Sequence, residues 1–185
     1  MTPSPGRPRL ASQELLQEAA FELFQLRGYR RTSVEQIAKT AGFSRATFFN
    51  FFSSKAELFW VETDALIDSL REFLEGRLAE PEPPTLREAL LAYAETLDSA
   101  AIPWALQNYR LLEAADDLVA SGASRVLGIN RLFQRYLQDG EDRPDRVALH
   151  GEAAALTGLV LTALLAWIDA GVGRGRLSRH LASVL

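Results

Sequence analysis

Residues 32–58, TSVEQIAKTAGFSRATFFNFFSSKAEL, constrain the fold of this chain more than any other stretch. They read as two short helices joined by a tight turn, followed at once by the start of another helix. Apolar residues recur where two helices must touch: Val34, Ile37, Ala38, Ala41, Phe43 and Phe48. Gly42 stands at the corner, where a Cβ is awkward, and Ser44 stands where a new helix needs an N-cap. This is the layout of a helix-turn-helix, whose second helix enters the DNA major groove. It predicts a DNA-binding regulator.

The flanking sequence extends the pattern. Residues 1–11 hold three prolines and a glycine and are expected to form a basic, flexible arm. Ser12 can cap a helix running to about Arg27, stopped by Gly28, with Leu16, Ala19, Ala20, Leu23 and Phe24 on one face. Thr32 with Glu35 forms a capping-box pattern for the second helix, and Ser54 with Glu57 repeats it for a fourth that continues to about Leu78. The proline-rich segment EPEPPT, residues 80–85, is the clearest connector. Beyond it the periodicity predicts helices at about 85–99, 103–120, 122–138, 144–171 and 176–184, with Pro103 and Pro144 in first turns. No segment alternates with period two, so the expected fold is all-α. It comprises a helix-turn-helix head over 12–53 and a helical body over 54–185.

Charge supports this division. The net charge of −4 argues against a nucleic-acid partner only while the chain is taken whole. Residues 1–58 carry eight Lys/Arg against five Asp/Glu, whereas 59–185 carry twelve against nineteen. A basic head on an acidic body is the asymmetry expected when one end touches phosphate.

The recognition helix should begin at Ser44, with Arg45, Ala46, Thr47, Phe49 and Asn50 projecting away from the side that carries Phe48. Arg pairs with guanine O6 and N7, and Asn with adenine N6 and N7, in bidentate fashion. Thr47 offers thymine a methyl group or phosphate a hydroxyl. Lys55, beside free N–H groups at the next helix start, and Thr32, at the start of the second helix, are expected on phosphates. Gly6-Arg7-Pro8-Arg9 is a short extended basic stretch that suits a narrow A·T-rich minor groove.

GYRRTSVEQIAKTAGFSRATFFNFFSSKAEL, preceded by EAAFELFQLRGY, resembles the N-terminal domain of the TetR family of transcriptional regulators over roughly residues 12–60. The resemblance implies a homodimeric repressor with a three-helix head and a divergent helical body. That body would bind a small inducer and dimerise through its last two long helices. It also implies DNA contacts at Arg45, Thr47, Phe49, Asn50 and Lys55. Two positions depart from the family pattern: an aromatic hydroxyl is usual at Phe49, and His or Tyr at Phe51. Phenylalanine cannot donate to phosphate. These two residues keep open a helical interaction module whose head no longer binds DNA. An activator on the same scaffold is a further alternative.

The helix at 144–171 is rich in Ala and Gly among leucines and is apolar nearly all round, so it needs cover on several sides. A partner subunit packed on helices 122–138 and 144–171 is the expected cover, and a two-fold dimer demands a palindromic double-stranded DNA operator. Trp104, Asn108, Tyr109 and Trp167 combine apolar area with polar tips and are the expected lining of a pocket for an apolar or aromatic inducer.

No catalytic constellation is visible: His150 and His180 are isolated, and no serine has a Gly-x-Ser-x-Gly context. Neither a metal site nor a cofactor is expected. The longest uncharged run, 153–168, falls short of the ~20 residues needed to span a bilayer. With no apolar leader near the N-terminus, a cytoplasmic protein without membrane contact is expected.

Overall fold

The structure, a computed structural model, describes residues 9–97, 103, 115–139, 145–171 and 173–185. Among them lie eight α-helices and one 3₁₀ turn, and no strand: α1 (Arg9–Arg27), α2 (Val34–Thr40), α3 (Arg45–Phe51), the 3₁₀ turn (Lys55–Phe59), α4 (Val61–Leu78), α5 (Leu86–Thr96), α6 (Ala115–Asp139), α7 (Arg146–Asp169) and α8 (Leu177–Ala182). The all-α expectation holds. The chain divides into two compact units. One runs to Val61 and takes in α6 as far as Ser121; the other holds the remainder.

In the first unit α1 lays Leu16, Ala20, Leu23 and Phe24 inward, one apolar face at helical spacing. Gly28 then stops the helix at φ +83°, its N–H bonding to Phe24 O at 2.9 Å. Phe24, Tyr29 and Phe59 meet in a ring cluster with centroids 5.1–5.6 Å apart. Between α2 and α3, Gly42 takes φ +77° and closes the turn, with Phe43 N–H on Ala38 O at 2.7 Å. Phe48 is fully buried, which contributes about 1.5–3 kcal/mol and fixes the rotation of α3.

Three expected elements differ: α1 begins at Arg9, so Ser12 lies within it instead of capping it, and two further elements change downstream. The single fourth helix from Ser54 is instead a 3₁₀ turn followed by α4, and Ser54 makes no side-chain cap. Leu58 and Phe59 are drawn fully into the core, and buried Gln17 takes the Leu58 carbonyl at 3.2 Å, which tightens the chain here. The break expected between 120 and 122 is also absent, because α6 runs through it. Ser121 donates to Asp117 O at 2.7 Å, one helical turn back, so it continues the helix rather than capping a new one. Residues 104–114 of the helix expected at 103–120 lie outside the described residues.

The second unit is a helical bundle. α5 opens with a full capping box between Thr85 and Glu88. Leu70, Leu74, Leu90, Phe133, Tyr136 and Leu156 form its main core, and Ala94, Ala163, Trp167, Leu177 and Leu181 a second cluster. Two phenols reach backbone carbonyls: Tyr93 OH donates to Leu66 O and Tyr136 OH to Pro84 O. Arg125 binds Asp64 with two contacts, at 2.6 and 2.7 Å. α7 is long and apolar enough to cross a membrane by length and composition alone. In the structure one side of it is buried within the bundle, through Leu149, Ala153, Leu156, Thr157, Ala163 and Trp167, and the rest is partly or fully exposed.

Candidate nucleic-acid interface

α3 owes its position to its two ends and its one buried ring. Ser44 caps it by accepting from Thr47 N–H at 3.0 Å, and its hydroxyl lies 2.9 Å from Thr47 Oγ1. With Phe48 locked inward, Arg45, Ala46, Phe49 and Asn50 stand exposed on the opposite face, and Thr47 is half-buried at its edge. Phe49 is 45% exposed, an uncommon placement for so large an apolar side chain. Arg45 lies over it, the guanidinium carbon 5.2 Å from the ring centroid. Arg45 Nε is also 2.8 Å from Glu35 Oε1 on α2. The Glu35 carboxyl is held below its ordinary range, first by its own backbone N–H and then by Arg45 and Ser33.

Thr32 is a correction. Both Thr32/Glu35 and Ser33/Gln36 fit the capping-box spacing, and the structure uses the second: Ser33 and Gln36 bond reciprocally at 2.9 and 3.2 Å. Thr32 is buried at 2% exposure, and its hydroxyl donates to Gly28 O at 2.9 Å. It therefore secures the end of α1 and has no free hydroxyl to offer a phosphate.

Lys55 also sits differently from expectation. Its ammonium turns inward, donating to Tyr29 O at 2.6 Å and Thr32 O at 3.0 Å, and stands 3.8 Å from the centroid of the Tyr29 ring. Burial lowers its pKa, partly opposed by the Asp117 charge. Tyr29 OH donates to Asp117 Oδ2 at 2.7 Å. Burial raises the Tyr29 phenol far above its ordinary value, with the Asp117 bond and charge adding. Sequence reasoning missed Tyr29 and Asp117, because nothing local links residues 88 positions apart.

Arg9 is the first residue of α1 rather than part of an extended arm, and Arg7 lies outside the described residues. So do Trp104, Asn108 and Tyr109. Trp167, the remaining expected pocket residue, is a core side chain at 2% exposure whose indole N–H donates to Gly175 O at 2.8 Å. A groove of about 90 Å³ in the second unit, lined by Leu74, Leu78, Leu132, Arg135 and Tyr136 among others, is far below the ~300 Å³ of a typical ligand site.

An exposed helix carrying Arg, Phe and Asn, set by a turn against a second helix, is the geometry of major-groove reading. The family model for bacterial regulatory proteins, tetR family, matches residues 16–60, which cover this unit from α1 to the 3₁₀ turn. Residues 16–60 thus form a TetR-family N-terminal domain. Among relatives, it is 26% identical over 135 residues to the transcriptional regulator MftR of Mycobacterium tuberculosis, covering 71% of this chain and 67% of that one. It is 31% identical over 109 residues to the HTH-type transcriptional activator FasR of Mycolicibacterium smegmatis, covering 57% of this chain and 47% of FasR. Thermus thermophilus FadR, a TetR-family transcriptional repressor solved with lauroyl-CoA, superposes with a TM-score of 0.61 at 26% identity, covering 92% of this chain and 90% of FadR. TetR-family relatives are thus transcriptional regulators, and the fold extends over both units.

Proposed function

We propose that this chain is a ligand-responsive, DNA-binding transcriptional regulator in the cytoplasm, acting as a homodimeric repressor on a palindromic operator. The observation that carries this reading is the exposed face of α3, where Arg45, Phe49 and Asn50 stand together while Phe48 fixes the helix from behind. Arg45 and Asn50 read base edges, Phe49 packs on sugar or a thymine methyl, and Ser44 and Thr47 lie at the phosphate end of the helix. Arg7, which precedes α1 in the sequence, extends the footprint toward the minor groove.

The dimer rests on α6 and α7. α7 presents Val147, Gly151, Ala154, Ala155, Gly158 and Leu165 to solvent, a stripe of small and apolar residues at helical spacing. An apolar inducer is favoured by the FadR relative, which holds an acyl thioester. The inducer acts by binding one conformation of the dimer better than the other, since only differential affinity shifts the equilibrium. The FasR relative favours a second reading, an activator on the same scaffold.

A gel shift with the duplex upstream of the chain's own gene, with and without lauroyl-CoA and a panel of apolar and aromatic small molecules, tests the proposal. Retardation reversed by one of them supports ligand-gated repression. No retardation of that duplex, with none in its presence either, counts against the proposal.

A further inference from the structure

A carboxylate stands within the face that α3 turns to DNA, and it touches the residue best suited to read a base. Glu35 belongs to α2 and Arg45 to α3, yet Glu35 Oε1 lies 2.8 Å from Arg45 Nε. The side chains remain 58% and 62% exposed, so the pair adds little to stability. A negative charge beside phosphate also works against binding. The first turn of α2 accommodates a carboxylate at its N–H groups, but neither stability nor raw affinity accounts for its contact with Arg45.

The geometry of the contact does. The ion pair uses Nε, one edge of the guanidinium, and leaves Nη1 and Nη2 available as a fork. That fork is what guanine O6 and N7 accept together. The Phe49 ring, 5.2 Å from the guanidinium carbon, holds the plane from its face. An unrestrained arginine has many rotamers to lose on binding, and it can swing from a wrong base to a nearby phosphate. An arginine held at an edge and a face can do neither easily, so a mismatched base leaves the fork unpaired.

We propose that Glu35 is a positioning residue that sets the base specificity of Arg45, with the Phe49 ring as the second wall of the cradle. Discrimination is gained at the expense of some non-specific affinity. Phenylalanine in place of the family's usual hydroxyl-bearing ring is then a fitting choice, because the ring face contacts Arg45 and no hydroxyl is needed. The inference rests on the reading of α3 as the DNA-recognition helix.

The test begins by selecting an operator with the full-length chain from a randomised 30-base-pair duplex library. Affinities are then measured for that operator, for each single-base change within it, and for an unrelated duplex. An arginine–guanine fork predicts that replacing its guanine weakens binding about 5- to 150-fold. In Glu35→Gln that penalty should shrink at least about fivefold, the unrelated duplex should bind more tightly, and the melting temperature should hold. In the Arg45→Ala background Glu35→Gln should leave base preference unchanged. If Arg45→Ala abolishes the discrimination while Glu35→Gln and Glu35→Ala retain it in full, the role given to Glu35 is overturned and the DNA-binding reading stands. If the unaltered chain enriches no sequence, both fall together.

Discussion

Lys55 offers a sharp choice between two roles, and its replacement by methionine decides between them. Methionine keeps the length and apolar stem of the side chain and removes only the ammonium. In the structure that ammonium donates to Tyr29 O and Thr32 O at 2.6 and 3.0 Å and faces the Tyr29 ring. A hydrogen bond from a charged group contributes about 1.5–3 kcal/mol, and an exposed cation–π contact about 0.5–1 kcal/mol. The sum overstates the effect, since burial opposes the charge and lowers the Lys55 pKa, and solvent screens the rest. A net loss of about 1.5–3 kcal/mol is expected in urea denaturation, or about 3–12 °C in melting temperature for a chain of this size. The salt dependence of DNA binding should change little. Lys55 acting on phosphate predicts the reverse: unaltered stability, and a salt slope reduced by about 0.9 per lost contact. That second pattern would refute the anchoring role.

Three further outcomes rest on other contacts in the fold. Tyr29 has a raised phenol pKa, so its contribution to stability is complete below pH ~10 and lost as pH rises beyond it; Tyr29→Phe should cost about 1 kcal/mol at neutral pH and flatten the alkaline decline in denaturant titrations between pH 9 and 11.5. Lys55, with its lowered pKa, has the opposite sign below pH ~10.5, so removing the phenol should expose a slight rise there. Arg125→Lys should destabilise the chain by about 1–3 kcal/mol in thermal or chemical denaturation, because one ammonium cannot reproduce the two-point contact with Asp64 made by a side chain only 14% exposed. Gly42→Ala meets no atom within 4 Å but must adopt φ +77°, so a loss of about 1–2 kcal/mol in the same assay reports backbone strain alone.

The helix-turn-helix was legible because its signals are local: a corner glycine, a serine cap and apolar residues three and four apart. Competing local signals caused the misreadings. Thr32 and Ser33 both satisfy the capping-box spacing, and only the burial of the Thr32 hydroxyl against Gly28 decides between them. Ser121-Gly122 resembles a helix boundary, yet the serine bonds back into the preceding turn and α6 continues. The inward turn of Lys55 depends on carbonyls that the chain brings together from 23 and 26 residues away. Its partners Tyr29 and Asp117 pair across 88 residues, a separation that no periodicity encodes. Tertiary contacts of that kind set which cations remain free for DNA. Trp167 shows the same limit: composition allows either pocket or core, and only the fold shows its ring buried with the indole N–H on the Gly175 carbonyl.

Sequence selection from a fully randomised duplex library, run in parallel on the chain and on Arg45→Ala, tests the central claim most directly. The account predicts an enriched inverted repeat with half-site centres about 34–36 Å apart, and loss of one conserved guanine per half-site in the variant. No enrichment, or an unchanged sequence with Arg45→Ala, would contradict it.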